Sequence, residues 1–317
     1  MQRVLVLGAG ASLAYGYPLG WELKRLILSL NIKEAMRAGI IDKDRAEDEI
    51  KLSEFQKTFK HSQLYSIDAF LALRPEYAEI GKLCIAHTLL LKENIGNLLD
   101  YENITDNWYQ YVFNKFATVP WENLTFENLS IVTFNYDRSL EQFFIIALQA
   151  AYGRTLEEVK VKFRSMRIVH IYGTLDSTLP GEEGYLEYNG QVYRDKLHMA
   201  ASGIIVIPEG RINSPTLQAA RDLLRFADTI CFLGFGFDSV NVDRLAHEDA
   251  CVAWCQRPSG WTSRRIVGTC YGMKKLEIES AYKKLSTSKV KPSISLQSET
   301  FEPTNCTDLL RETLFFG

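Results

Sequence analysis

The sequence has no apolar run long enough to cross a bilayer, no block of basic residues and no two closely spaced cysteine pairs. The first absence leaves no candidate for a membrane-spanning helix, which needs about 20 consecutive apolar residues. The chain also opens without a basic segment, an apolar stretch and a small-residue cleavage site, so no secretory leader is expected. The expected location is the cytoplasm, unanchored. The second absence, with a net charge of −3, removes the electrostatic footprint of a nucleic-acid surface, so no direct nucleic-acid binding is expected. The third argues against structural zinc. Cysteines stand at 84, 231, 251, 255, 270 and 306, and the tightest pair, Cys251 and Cys255, has no second close pair to complete four ligands. No metal is expected, and the thiols read as free in a reducing compartment.

What is present is a series of short apolar runs that stop at small or polar residues. Val4-Leu5-Val6-Leu7 runs into Gly8-Ala9-Gly10-Ala11-Ser12. Ile131-Val132 leads to Thr133-Phe134-Asn135-Tyr136-Asp137, and Ile168-Val169 leads to His170-Ile171-Tyr172-Gly173. Thr229–Leu233 ends at Gly234-Phe235-Gly236-Phe237-Asp238. In open parallel sheets, ligands sit just beyond the carboxyl ends of the strands. Such ends would gather a phosphate-cradling turn, an amide and an imidazole around one crevice.

Between these runs the periodicity is helical. Residues 138–151, 214–226 and 273–285 read as helices, and 204–207, 265–268 and 293–301 as further strands. Thr307 reads as the cap of a last helix. From 31 to 125, Val is scarce and Lys, Glu, Asp and Leu recur with helical spacing. Within that block Ser66 caps a helix that carries Asp68 in its first turn, and 83–98 reads as one long helix. The expected fold is a single α/β domain over 1–317: a Rossmann-like parallel sheet flanked by helices, with 31–125 as a helical insertion after the first βα unit.

Each end also has a plainer reading. Gly8–Ser12 is a tight βα turn, Asn135 a turn residue that satisfies backbone groups, Asp137 a helix cap, His170 a packed strand residue, and Gly234 and Gly236 loop positions needing positive φ. An ordinary dehydrogenase is disfavoured. Leu13 stands where the dinucleotide fingerprint has its third glycine, and no strand ends in an acidic residue about 20 positions later.

Taken together, the Gly8-Ala9-Gly10-Ala11-Ser12 turn and the Thr133-Phe134-Asn135-Tyr136-Asp137 end resemble the sirtuin-like family. The late Gly234–Gly236 strand end, the long helical insertion and the Ser66–Leu71 segment look most like its bacterial antiphage-defence members, many of which consume NAD. The resemblance implies NAD as substrate, with Gly8, Ala9, Gly10, Ala11, Ser12 and Thr133 on the phosphate side and Gly234, Gly236 and Asp238 on the adenosine side. It implies Asn135, His170, Asp137 and Tyr172 at the reacting ribose. It further implies a homo-oligomer or a defence partner such as an ATPase or an Argonaute-like protein. The chain departs from the family at the histidine. Tyr172, not a histidine, precedes Gly173, and His170 lies two residues earlier. Positions two apart on a strand share a face, so both are expected to face the crevice. The zinc-binding cysteine pairs of the deacylating sirtuins are absent, which disfavours protein deacylation.

Overall fold

Leu7, the last residue of the first strand, lies opposite Thr133 on one side and Leu233 on the other. That register brings the Gly8, Phe134 and Gly234 ends together. A computed structural model describes residues 1–206, 214–245, 265–285 and 301–316. Among them, β1 (Arg3–Leu7), β2 (Leu129–Thr133), β3 (Arg167–His170), β4 (Thr229–Leu233), β5 (Arg265–Thr269) and β6 (Phe301–Glu302) form one all-parallel sheet of order β3-β2-β1-β4-β5-β6. This is the order of doubly wound dinucleotide-binding sheets, whose crevice opens where the strand order reverses, here between β1 and β4. β2 and β4 are buried along their whole length, as is β1 beyond Arg3. Burial on both faces explains why these strands read as continuous apolar runs rather than alternating ones.

Between β1 and β2 the chain forms α1 (Gly20–Ser29), α2 (Ile32–Ala38), α3 (Ala46–His61), α4 (Ile67–Leu73), α5 (Ala78–Leu90), α6 (Ile95–Leu99) and α7 (Trp108–Phe116). α5 is apolar around most of its circumference, from Ile80 to Leu90. It is the hub, packed against α1, α3, α4 and, from beyond β3, the helix Arg194–Ser202. Ser66 caps α4, its Oγ accepting from the Asp68 and Ala69 amides. The expected long helix over 83–98 is instead two. α5 stops at Leu90, Glu93 turns into a buried ion pair, and Asn94 caps α6 by accepting from the Asn97 amide.

The remaining helices are α8 (Ser139–Tyr152), α9 (Leu156–Phe163), α10 (Arg194–Ser202), α11 (Pro215–Phe226), α12 (Ser239–Arg244), α13 (Lys275–Leu285) and α14 (Cys306–Glu312). α14 is capped by Asn305, not Thr307, whose hydroxyl donates to Asp106 instead. The strand expected at 204–207 does not form over 204–206. Ile204 makes one antiparallel bridge to Gly173, and Ile205 is 39% exposed, so this stretch lacks the continuous burial of a central strand. Ile207 and 293–300 lie outside the described residues, as do Cys251 and Cys255. Among the described residues, no helix is long and apolar enough to cross a membrane.

Candidate functional site

The Gly8–Ser12 turn begins a 3₁₀ helix (Ala9–Tyr15) that stops at Gly16, φ +88°. Its glycines first serve contact between two strand ends. A methyl group added at Gly8 would meet Gly234 O at 2.6 Å, and one at Gly10 would meet Gly234 Cα at 2.8 Å. The Gly8 amide donates to Leu233 O, Gly10 to Gly234 O and Ala11 to Gly8 O. A phosphate at this turn therefore cannot use those three amides, and the Ala9 amide makes none of these bonds. Gly234 carries φ +56°, and a methyl there would overlap the Ala11 amide nitrogen. Gly234→Ala is expected to lower stability by about 3 kcal/mol, combining left-handed strain with overpacking. Urea unfolding measures it, and a change below about 0.5 kcal/mol would contradict the contact.

The turn divides two clefts. The larger, about 640 Å³, opens over the ends of β1, β4 and β5 and is lined in part by Gly10, Gly234, Gly236, Asp106, Tyr271 and Asn305. The smaller, about 90 Å³, opens over β1 and β2 and includes Ala9, Ser12, Tyr17, Asp68, Asn135 and Asp137. Asn135 lines the smaller one, only 9% exposed. Its backbone amide donates to Thr133 Oγ1 at 3.0 Å. Its Nδ2 donates to Gly8 O and to Ser12 Oγ, both at 3.0 Å. Among the described residues, nothing donates to its Oδ1. The amide is thus oriented from behind with its acceptor left for a ligand.

Asp137 does cap the start of α8: its Oδ1 accepts from the Ser139 amide at 3.2 Å and from the Ser139 hydroxyl. It also lines the smaller cleft, and burial pushes its carboxyl above the ordinary range, with Ser139 and Ser12 opposing. The Ser139 hydroxyl pairs with Tyr109 Oη at 2.7 Å, and Tyr15 stacks on the Tyr109 ring at 3.8 Å. Ala11 is held from the other side, its carbonyl accepting from Trp108 Nε1 at 2.8 Å.

His170 is engaged at both ring nitrogens and lines neither cleft. Nδ1 lies 3.0 Å from the Asn135 carbonyl, which can only accept, and Nε2 lies 2.7 Å from Glu141 Oε1. Burial pulls its pKa down, but Glu141, the Asn135 carbonyl and Asp137 outweigh that and hold it above the ordinary value. The ring therefore braces the Asn135 backbone, with both nitrogens committed to protein acceptors. Its stabilising contribution is full below about pH 6.5, the unfolded value, and is lost as pH rises through the higher folded value. Glu141→Gln is expected to move the His170 titration down and flatten this slope. Histidine NMR titration checks it, and an unchanged midpoint would contradict the pairing.

The shared face expected for His170 and Tyr172 is not observed, because β3 ends at His170 and Tyr172 sits in a turn. Tyr172 turns to α12, donating to Asn241 Oδ1 at 2.6 Å and accepting from Arg244. Asp238 is exposed and caps α12, accepting from the Val240 and Asn241 amides. Gly8 and Ala11 support the turn without lining either cleft, and Thr133 acts through the Asn135 backbone.

No protein-family model matches this chain, and no curated protein is found similar to it. Among the described residues, no group of three or more His, Cys, Asp or Glu side chains is placed to hold a metal ion.

Sequence reasoning missed Asp68 as a site residue. It reaches the smaller cleft from α4, and Tyr136 Oη donates to its Oδ1. Its position in a capped first turn was legible, but its spatial neighbours were not. The adjoining Arg138–Glu93 pair was missed too. Arg138, next to Asp137, donates to Glu93 Oε1 at 2.7 Å and Oε2 at 3.1 Å.

Proposed function

We propose that the chain binds NAD across the β1/β4 crevice and hydrolyses its nicotinamide–ribose bond, giving nicotinamide and ADP-ribose. The observation that carries this reading is Asn135. It is a buried amide at a strand end in the lining of the smaller cleft, held through Nδ2, with no donor on Oδ1 among the described residues. In this reading the adenosine half occupies the larger cleft and the nicotinamide ribose meets Asn135. The pyridinium leaves neutral, so no general acid is needed, and the demand is to stabilise an oxocarbenium-like ribose. Asn135 Oδ1 accepts from a ribose hydroxyl and orients it. With His170 occupied, the attacking water gives its proton to Asp137, whose raised pKa suits it to accept one. The smaller cleft, about 90 Å³, lies below the ~300 Å³ of ordinary ligand pockets. Admitting the ring requires the Tyr17–Pro18 wall to move back, against the 2.8 Å hydrogen bond between Tyr17 and Tyr188.

A second reading is a catalytically weak module that binds NAD or ADP-ribose and scaffolds a partner. The occupied imidazole and the small volume of the cleft at Asn135 favour it. Incubating the purified chain with NAD and following nicotinamide and ADP-ribose separates the two: release supports hydrolysis, and binding without release supports the module. The defence setting, and an ATPase or Argonaute-like partner, belong to the same proposal.

A further inference from the structure

The smaller cleft places two carboxylates, Asp68 from α4 and Asp137 from the β2–α8 turn, with no Lys, Arg or His among its described lining residues. Its other walls are neutral or apolar, including Phe134, Leu23, Leu89 and Pro18. Between them stands Asn135, nine-tenths buried, with no donor on Oδ1 among the described residues. The cleft is built for a ligand that brings a hydrogen-bond donor and a positive charge. Burial pushes both carboxyls up; Tyr136, Ser66 and the charge of Arg244 offset this only in part at Asp68. The guanidinium of Arg244 donates to Tyr172 and its charge reaches Asp68 from outside the cleft lining.

We infer that Asp68 is a specificity-determining residue: its carboxylate selects the positively charged, oxidised nicotinamide ring over the neutral, reduced one. This rests on the dinucleotide reading. Oxidised and reduced dinucleotides share adenosine, pyrophosphate and both riboses, so the larger cleft cannot tell them apart. They differ at the ring, which is a cation in NAD and neutral in NADH. The same charge leaves the ring on cleavage, because nicotinamide departs neutral, so the carboxylate holds substrate and releases product. Asp68 thereby gives the helical block before β2 a direct part in the site.

An opposite charge within about 4–6 Å shifts a carboxylate by about 1–3 pK units, which by linkage is about ten- to a thousandfold in affinity for the cation. The test is calorimetric titration of the full chain with carba-NAD, NADH and ADP-ribose. Carba-NAD keeps the pyridinium charge, and its carbocycle blocks cleavage. Wild type is expected to bind carba-NAD at least about tenfold tighter than NADH, the lower end of that range. Asp68→Asn, which keeps size and can still accept from Tyr136, should remove that preference and leave ADP-ribose affinity unchanged. Tyr136→Phe should keep the preference, since it removes a neighbour of Asp68 but not the charge. Equal wild-type affinities for carba-NAD and NADH, or an Asp68→Asn variant that weakens all three ligands alike, would overturn the role of Asp68 while leaving dinucleotide binding intact. A wild type that binds none of the three would overturn both.

Discussion

Asn135→Ala is expected to reduce NAD cleavage at least about a hundredfold, the scale of losing one oriented transition-state hydrogen bond. The loss should fall on kcat more than on KM, because the larger cleft, which holds most of the dinucleotide, is untouched. The same change removes the Nδ2 bonds to Gly8 O and Ser12 Oγ. A stability cost of about 1–3 kcal/mol is therefore expected alongside, from acceptors left underused. Ser12→Ala separates the two effects. It removes one of those bonds while keeping Oδ1 at the cleft, so it should lower stability with far less effect on turnover. Nicotinamide release by Asn135→Ala at the wild-type rate would remove Asn135 from the chemistry.

Arg138→Met is expected to destabilise the fold by about 3–5 kcal/mol, the scale for breaking a buried ion pair from one side. All five guanidinium N–H groups are in use: two reach Glu93, and the others reach the carbonyls of Ser177, Leu186 and Glu187. Side-chain exposure is 1% for Arg138 and 0% for Glu93. Removing the cation leaves Glu93 with the Asn189 amide at 3.1 Å and with Lys196, whose ammonium lies 3.7 Å away and is itself pulled down by burial. Glu93→Met with Arg138→Met should recover part of the loss, because it removes the stranded carboxylate while the Lys196 ammonium keeps its hydrogen bonds to Asn189. Urea unfolding of the single and double variants reads the coupling, and additive losses would show that the pair is not a unit. The site should feel this change as well, since Arg138 directly follows Asp137.

The sheet was legible because its strands are buried on both faces. A run such as Thr229–Leu233 carries its assignment in composition alone, and the glycines after it mark the close approach to Gly8 and Gly10. The position of Asn135 two places beyond a buried strand was legible for the same reason, as a turn or a crevice residue; the structure sets it in the lining of the smaller cleft. The role of His170 was not, because its partner Glu141 lies 29 residues earlier on α8, and sequence does not show which ring nitrogens are free. The break at Glu93 was hidden by the apolar run on either side, since its cause is a long-range charge partner. Asp68 was seen as a first-turn acid but not as a wall of the cleft, because only the packing of α4 beside Tyr136 brings it there.

The register of β1 bears on how the chain is made. β1 lies in the middle of the sheet and is made before either neighbour, since β2 begins at residue 129 and β4 at residue 229. A nascent chain thus carries an apolar strand with two open edges until β2 is made and one open edge until β4 is made, the situation that invites intermolecular pairing. Such non-local pairing slows folding, since long loops must close before it is rewarded. Chains stopped before residue 229 should accumulate as aggregates even though the helices up to β2 are already synthesised, and expression should improve when translation is slowed or a holdase chaperone is supplied.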